Sequence, residues 1–509
     1  MPIGLAGALV CGWGSLVFGV ESIVPPTGGE DVVKFSEGRL NQKSGEAAGK
    51  WVAIGGMPFE KAYQVELRKT PGLSKDLQLV LPLKKSFKKG DSVLFSFWVR
   101  RPKSGGEPGP AALYVQAGKG LKRHEFQFSP FRHWEQHVRA FEAPSDFEPG
   151  KGNVSFHLGS AGPVIEIAEL QVMTYGKEMK VEELPKSQVS YEGRSPDAVW
   201  RKEALQRIEK IRKADIVVEV VDASGNPVKG AEVKVEMQRH DFRFGNTVNS
   251  HLLGAKEKDF PYTKIRKGRK FVTTWEEAKQ YRETLRTHFN AVTFESELRP
   301  QAWKKQTRGK TDSDQARFKL LTGSTMPWLQ EQKMDIRGHY LSWGAMDFNA
   351  IEKVYVGNPQ AHRKWLWAHM ADVLSGTQGV VTEWDTINHI VAWGKHTYEK
   401  EYGSLDILAE IMAEARRLAP EATHAINEGK ILPDGYKREP YKRVIRFLNE
   451  KGQAPDTVGF MAHFDLTSLT PPEELLKVYD DFATIAPRLQ LSEFDVDAGD
   501  DEELQSDYY

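Results

Sequence analysis

Apolar and polar positions recur with two different periods along this chain, and the change of period divides it. Between about residues 23 and 175, short β-type runs alternate with turns rich in Gly, Pro and Lys, at 76–83, 92–100, 111–117, 133–141, 153–158 and 164–172. Regular short strands without a helical period predict an all-β sandwich. The polar stretch 176–197 reads as a linker. After it, Leu205, Ile208 and Ile211 recur at helical spacing over 198–212. The runs 216–221 and 231–237 predict two strands around the turn Asp222-Ala-Ser-Gly-Asn-Pro.

Beyond that turn strand and helix alternate. Strand-like runs at 242–247, 291–294, 335–343, 382–387, 424–427, 457–464 and 488–496 are separated by helices. The clearest helix is 405–418, where Leu405, Leu408, Ile411, Met412, Ala415 and Leu418 make one apolar stripe stopped by Pro420. Another, 441–451, ends at Gly452, a C-cap glycine. This repetition predicts a parallel sheet curled as a (β/α)8 TIM barrel. Seven strands are counted before Tyr509, so the reading is a barrel lacking its last strand and helix. C-terminal truncation is preferred to an open barrel, because an unclosed barrel exposes raw strand edges. The expected division is 1–22, a leader; 23–175, the sandwich; 176–197, the linker; and 198–509, the barrel.

Composition narrows the partners. Seventy Lys and Arg balance seventy Asp and Glu over 509 residues, so no long-range field gathers nucleic acid or anionic lipid. An uncharged substrate fits best, and the basic run Lys264-Ile-Arg-Lys-Gly-Arg-Lys270 reads as a solvated loop. Thirteen Trp, fifteen Tyr and twenty-five Phe supply ring faces that can stack on pyranoses, although most aromatics serve the core. The single cysteine, Cys11, lies in the apolar stretch 3–20, which resembles a signal-peptide core despite lacking basic residues ahead of it. Cleavage near 19–22 leaves a chain without cysteine, and no later stretch is long and apolar enough to span a bilayer. The expectation is a secreted or periplasmic protein, free of the membrane once the leader is removed; a retained anchor is the alternative.

Barrel chemistry gathers at the C-terminal ends of strands. Those ends carry Glu295, His339, Trp343, Asn388, His389, Asn427, Glu428, His463, Glu493 and Asp495. Paired carboxylates in such a ring suit glycoside hydrolysis, one attacking the anomeric carbon while the other protonates the leaving oxygen.

Seven motifs then occur in order: Phe242-Arg-Phe-Gly245, Phe289-Asn-Ala-Val-Thr-Phe-Glu-Ser-Glu-Leu-Arg299, Arg337-Gly-His-Tyr-Leu-Ser-Trp343, Trp384-Asp-Thr-Ile-Asn388, Ala425-Ile-Asn427, Val458-Gly-Phe-Met-Ala-His463 and Leu491-Ser-Glu-Phe-Asp-Val496. Together they resemble glycoside hydrolase family 10, the endo-1,4-β-xylanases. Before them, the run Ser92-Val-Leu-Phe-Ser-Phe-Trp-Val-Arg100, Trp134 and Ile165-Glu-Ile-Ala-Glu-Leu-Gln-Val172 resemble the jelly-roll carbohydrate-binding modules of families 4, 9 and 22. That likeness implies sugar binding without locating the face; Trp51, Tyr63 and Tyr114 are candidates. The family 10 likeness implies that Glu493 is the nucleophile, that His463 hydrogen-bonds it, that Asn388 contacts the sugar 2-hydroxyl, and that Glu295, His339 and Trp343 line the glycone subsites.

The departures bear on activity. His389 occupies the position of the family's acid/base glutamate, Ser296 that of an asparagine, Arg299 that of a lysine, and Met461 that of a glutamine. A histidine can carry a proton near neutral pH, and a neighbouring carboxylate such as Glu493 favours its charged form. Its reach and direction differ from those of a glutamate. The first reading is therefore a retaining hydrolase of β-1,4-xylan or a related plant polysaccharide, weakened by loss of the usual acid, with His389 or a neighbour such as Glu428 as donor. The second is a polysaccharide-binding pseudoenzyme. The third is a metal-dependent hydrolase using His339, His389 and His463; neither of the first two readings requires a metal or cofactor.

Overall fold

The computed structural model describes residues 22–509 except 70–73, 103–110, 119–122, 129, 160, 267–268, 295, 434, 436, 467 and 500. The leader-like stretch with Cys11, and Glu295, lie outside the described residues. Two compact units result: 1–194 with 464–471 and 496–509, and 195–463 with 472–495.

The first unit holds eleven described strands: β1 (Glu30–Asp31), β2 (Arg39–Gln42), β3 (Glu46–Ala53), β4 (Lys61–Lys69), β5 (Leu77–Pro82), β6 (Ser92–Arg100), β7 (Ala111–Gln116), β8 (Arg123–Phe128), β9 (Glu135–Glu142), β10 (Asn153–His157) and β11 (Val164–Thr174). They form two antiparallel sheets, one ordered β3-β4-β11-β6-β9 with β1 on β11, the other β2-β5-β10-β7-β8. The core lies between them. Along β6, Val93, Phe95, Phe97 and Val99 point into this core, while Leu94 and Trp98 enter separate clusters on the other face. A strand covered on both faces reads as a continuous apolar run. Each such phenylalanine contributes about 1.5–3 kcal/mol by leaving water. The sandwich expectation is met.

The second unit opens with α1 (Val199–Arg212). The helix forms as expected, yet Leu205, Ile208 and Ile211 stay exposed. The two strands expected at 216–221 and 231–237 do not form. The turn between them does: Asp222 Oδ1 accepts the N–H groups of Ser224 and Asn226 at 2.8 and 2.9 Å. Beyond one isolated bridge, Val221 to Pro227, no ladder follows among the described residues. Alternating apolar residues make a strand only when a neighbour takes the backbone hydrogen bonds and covers one face, and an isolated hairpin is marginal.

The remaining strands are β12 (Gly245–Val248), β13 (Tyr262–Arg266), β14 (Arg269–Thr273), β15 (Ala291–Phe294), β16 (Asp335–Gly338), β17 (Ser342–Trp343), β18 (Glu383–Asn388), β19 (Thr423–Glu428), β20 (Thr457–Asp465) and β21 (Leu489–Asp497). The described residues of the basic run, 264–266 and 269–270, are thus strand and not plain loop: β13 and β14 pair antiparallel, with alternate residues turned to opposite sides. The main sheet runs β12-β15-β16-β18-β19-β20-β21 in chain order, with β17 beside β18. Neighbours from β12 to β20 pair in parallel. This is the curled parallel sheet of a (β/α)8-type domain.

Helices α2 (Ser250–Gly254), α3 (Trp275–His288), α4 (Pro300–Arg308), α5 (Asp312–Leu320), α6 (Met326–Glu331), α7 (Pro359–Gly376), α8 (Tyr398–Tyr402), α9 (Asp406–Leu418), α10 (Arg438–Glu450), α11 (Pro472–Ala483) and α12 (Glu502–Tyr508) complete the described elements. In α9, Leu408, Ile411, Met412 and Ala415 are buried, the stripe the spacing predicts. After α10, Gly452 takes a φ of +69°, a left-handed turn that glycine adopts without strain. Among the described residues no helix is long and apolar enough to cross a membrane.

Candidate active site

Four successive strands deliver the polar groups. β18 ends in Asn388 and is followed by His389; β19 ends in Asn427 and Glu428; β20 carries His463; β21 carries Glu493 and Asp495. In a parallel barrel these are the C-terminal ends, where side chains leave the packed interior and meet at one mouth.

Glu493 is the centre of one cluster. Asn427 Nδ2 donates to its Oε1 at 3.0 Å and also reaches Asn388 Oδ1 at 3.1 Å. Ser492 Oγ donates to Asn427 Oδ1 at 2.5 Å, so the asparagine's orientation is fixed. His463 Nε2 lies 3.0 Å from Glu493 Oε2, and its Nδ1 lies 2.6 Å from Asp495 Oδ2. An imidazole held between two carboxylates is stabilised with both nitrogens protonated. The hydrogen bond to Glu493 raises His463 to about 9, against a smaller lowering by burial and with Asp495 adding to the rise. Burial pushes Glu493 up, but the His463 hydrogen bond and the charges of His339, His463 and Arg337 together hold it at about 2. Glu493 is therefore an ionised carboxylate at neutral pH.

Beside it lies a buried network. His339 Nδ1 sits 2.7 Å from Asp385 Oδ2, Arg337 Nη2 donates to Asp385 Oδ1, and Arg299 Nη2 lies 3.3 Å from His339 Nε2. His339, Arg337 and Asp385 are all buried. The structure thus joins Arg299 and His339 directly, whereas Ser296 is exposed and its N–H meets Glu297 Oε2 at 3.2 Å.

His389 forms the second cluster. Its backbone has a φ of +47°, a conformation that few non-glycine residues adopt and that costs about 1–3 kcal/mol. The ring lies against Trp343 with centroids 4.3 Å apart, and Trp343 stacks on Phe348 at 3.8 Å. His389 Nδ1 lies 3.2 Å from Glu428 Oε1. The carboxylate that holds this ring is therefore Glu428; Glu493, the partner expected from sequence, is engaged with Asn427 and His463. Glu428 is itself completely buried and accepts Lys437 Nζ, the Gly429 N–H and the Val391 N–H at 2.6, 2.9 and 2.7 Å. A carboxylate so enclosed orients its neighbours. It does not present itself to a glycosidic oxygen, so it is a poor substitute acid.

Trp343 is only 7% exposed, packed against both Phe348 and His389, whereas Phe348 and Trp393, whose ring centres lie 6.4 and 5.6 Å from that histidine, are more than half exposed. Sequence reasoning missed Phe348, Trp393, Asp385 and Lys437. Trp393 was within reach of it, lying four positions past His389; Lys437 belongs to no motif. Met461 is buried, its Sδ 3.5 Å from where a Cβ on Gly429 would sit. The three histidines named for a metal each meet a different carboxylate, Asp385, Glu428 or the pair Glu493 and Asp495.

On the first unit, Tyr114, Glu125, Arg123 and His157 occupy the sheet face opposite the core, with Tyr114 paired in register to Glu125 and Ser155. Tyr114 OH donates to Glu125 Oε1 at 2.6 Å, Arg123 lies 4.7 Å above the Tyr114 ring, and His157 packs at 4.1 Å. Trp51 is half-exposed at the sandwich edge, and Tyr63 packs against the core.

A parallel strand–helix sheet with carboxylates, asparagines and histidines converging at its C-terminal strand ends defines the class, an α/β barrel-type domain with a polar mouth. Residues 258–508 match the model of glycosyl hydrolase family 10, and this strand–helix part of the chain belongs to that family. Among curated relatives, the chain is 24% identical over 227 residues to a β-1,4-xylanase of Dictyoglomus thermophilum, covering 42% of this chain and 59% of that protein. It is 22% identical over 269 residues to the anti-sigma-I factor RsgI6 of Acetivibrio thermocellus, covering 52% of this chain and 30% of that one. The chain thus spans less than two thirds of either. Among solved structures, the CBM22-1–GH10 modules of Clostridium thermocellum xylanase 10B, complexed with xylohexaose, align over 93% of this chain and 83% of that one, at 13% identity and a TM-score of 0.37. A psychrophilic family 10 endo-β-1,4-xylanase aligns over 52% and 79%, at 17% identity and a TM-score of 0.40.

Proposed function

We propose that the family 10 domain is a retaining hydrolase that cuts internal β-1,4 links of xylan or a related plant polysaccharide, with Glu493 as nucleophile and His389 as acid and base. The observation that carries this reading is Glu493, a carboxylate kept ionised by His463 at the strand-end mouth beside Asn388 and Asn427. Its attack forms a bond to the anomeric carbon as the bond to the leaving oxygen breaks, and the His389 imidazolium gives that oxygen its proton. Water then replaces Glu493 at the same carbon, losing a proton to the now neutral His389. The exposed faces of Phe348 and Trp393 offer stacking surfaces for pyranose rings. The xylanase names of several family relatives point to the same substrate class.

The sandwich would bind the same glycan on the sheet face built around Tyr114, and the apolar stretch 3–20 would direct the chain out of the cell. Incubation with 2,4-dinitrophenyl 2-deoxy-2-fluoro-β-xylobioside tests the central reading. A burst of dinitrophenol and a mass increase on the peptide containing Glu493 are expected; absence of both, with oligosaccharide binding retained, would replace the hydrolase by a binding protein.

A further inference from the structure

Resting on that reading, we propose that Glu428 and Lys437 act as positioning residues for His389. Glu428 accepts the Nδ1–H and so turns Nε2 toward the mouth, and Lys437 pairs with the Glu428 carboxylate in its buried setting.

The geometry supports each part. Glu428 Oε1 meets His389 Nδ1 at 3.2 Å, and its two oxygens take three further donors. Two backbone N–H groups among them fix the carboxylate in the plane that serves the histidine. A carboxylate beside Nδ1 selects the tautomer that carries the proton there, leaving Nε2 to exchange protons with whatever it faces. The ring nitrogens lie on opposite sides of the imidazole. With Nδ1 turned to a buried group, Nε2 points away from it, and the ring as a whole keeps 17% exposure. The left-handed backbone of His389 is the strained feature that this arrangement holds in place.

Lys437 is the counter-charge. It is 2% exposed, its Nζ is 2.6 Å from Glu428 Oε1, and it lies 3.9 Å from the centre of the Trp393 ring. A buried carboxylate without such a partner is strongly destabilising. Among the described residues, the charged groups seen around His389 are Glu428 from β19 and, through it, Lys437 from the segment before α10. Trp343 from β17, Phe348, Trp393 and Gly429 cover the other sides without charge.

The full chain, labelled with 15N-histidine, tests this with a readout independent of turnover. The His389 signals, assigned by their loss in His389→Gln, should report the Nδ1–H tautomer, and Glu428→Gln should lose it. On phenyl β-xylobioside, whose leaving group needs a proton, Glu428→Gln should lower kcat by at least roughly tenfold, with KM little changed. On the 2,4-dinitrophenyl substrate, whose leaving group needs none, kcat/KM should stay within about threefold of the parent. If Lys437→Met fails to fold, Glu428→Gln/Lys437→Met should fold again, and Lys437→Arg should keep parental rates. Equal losses in kcat/KM on both substrates, or an unchanged tautomer in Glu428→Gln, would overturn the proposal. If the parent itself releases neither phenol and takes no fluorosugar label, the hydrolase reading fails, while the tautomer still reports separately on Glu428.

Discussion

Replacing His463 by Gln separates the nucleophile's charge from its position. In the parent, burial raises the Glu493 carboxyl from its ordinary 4.5, yet it stands at about 2, because the His463 hydrogen bond outranks every other lowering influence and His463 also contributes charge. A glutamine keeps a side chain of similar length and an N–H to donate, but it cannot carry the imidazolium. The charges of His339 and Arg337 remain, but the His463 charge is gone and a neutral amide replaces the imidazolium in the hydrogen bond. The carboxyl should therefore return toward 4.5, moving the acid limb of kcat/KM up by about one to two pH units. The assay uses 2,4-dinitrophenyl β-xylobioside, because with that leaving group the proton donor drops out of the rate and the limb reports the nucleophile. An acid limb that stays in place while the variant remains active would refute the account of Glu493. The same pair couples to stability with a fixed sign. His463, raised to about 9 when folded, contributes fully below its unfolded value of 6.5, and its contribution is lost as pH rises through 9. Glu493 contributes above 4.5, and its contribution is lost as pH falls through 2. The urea midpoints of parent and His463→Gln should thus differ most between these limits and converge in alkali.

Two further outcomes follow from the site and from the sandwich. His389→Ala should lose about 10²–10⁴-fold in kcat/KM on phenyl β-xylobioside but little in kcat/KM on the dinitrophenyl substrate, while slow hydrolysis of the glycosyl-enzyme lowers kcat on both and azide should restore it as a β-xylobiosyl azide detectable by mass; equal losses in kcat/KM on both substrates would remove His389 from proton transfer. Tyr114→Ala should weaken retardation of the full chain in xylan-containing native gels while leaving hydrolysis of the short aryl xylobioside unchanged; retardation equal to the parent would move the binding face elsewhere on the sandwich.

What could be read from the sequence follows how much of each element is buried. The barrel strand β20 stood out because it is covered along most of its length and reads as the apolar run 458–462, whereas β18 and β19, covered just as fully, mix Trp384, Ile387, Ala425 and Ile426 with polar residues. The sandwich strands that escaped notice were β1, β2, β3, β4 and β8, and β2, β3 and β8 end the order of their sheets. Edge strands are kept polar or interrupted, as Arg39-Leu-Asn-Gln42 and Arg123-His-Glu-Phe-Gln-Phe128 are, because an apolar edge invites pairing with other chains. The opposite error occurred at 216–237, where alternation predicted strands and the structure supplies no partner for them.

The site divides along the same line between what a motif holds and what the fold brings together. Asn388, His463 and Glu493 were identifiable because each lies in one of the ordered motifs, and the structure links them: Asn427 bonds Asn388 and Glu493, and Glu493 bonds His463. The surroundings of His389 were not. Its carboxylate partner comes from β19, the strand next to its own in the sheet, and that carboxylate's cation comes from a segment nine residues further on, outside every motif. A histidine in place of a glutamate looks like a simple loss only when the position is considered alone. With Glu428 fixed by two backbone N–H groups and balanced by Lys437, the position carries a supported imidazole, and support of that kind is what a proton-transferring histidine requires and a filler residue does not.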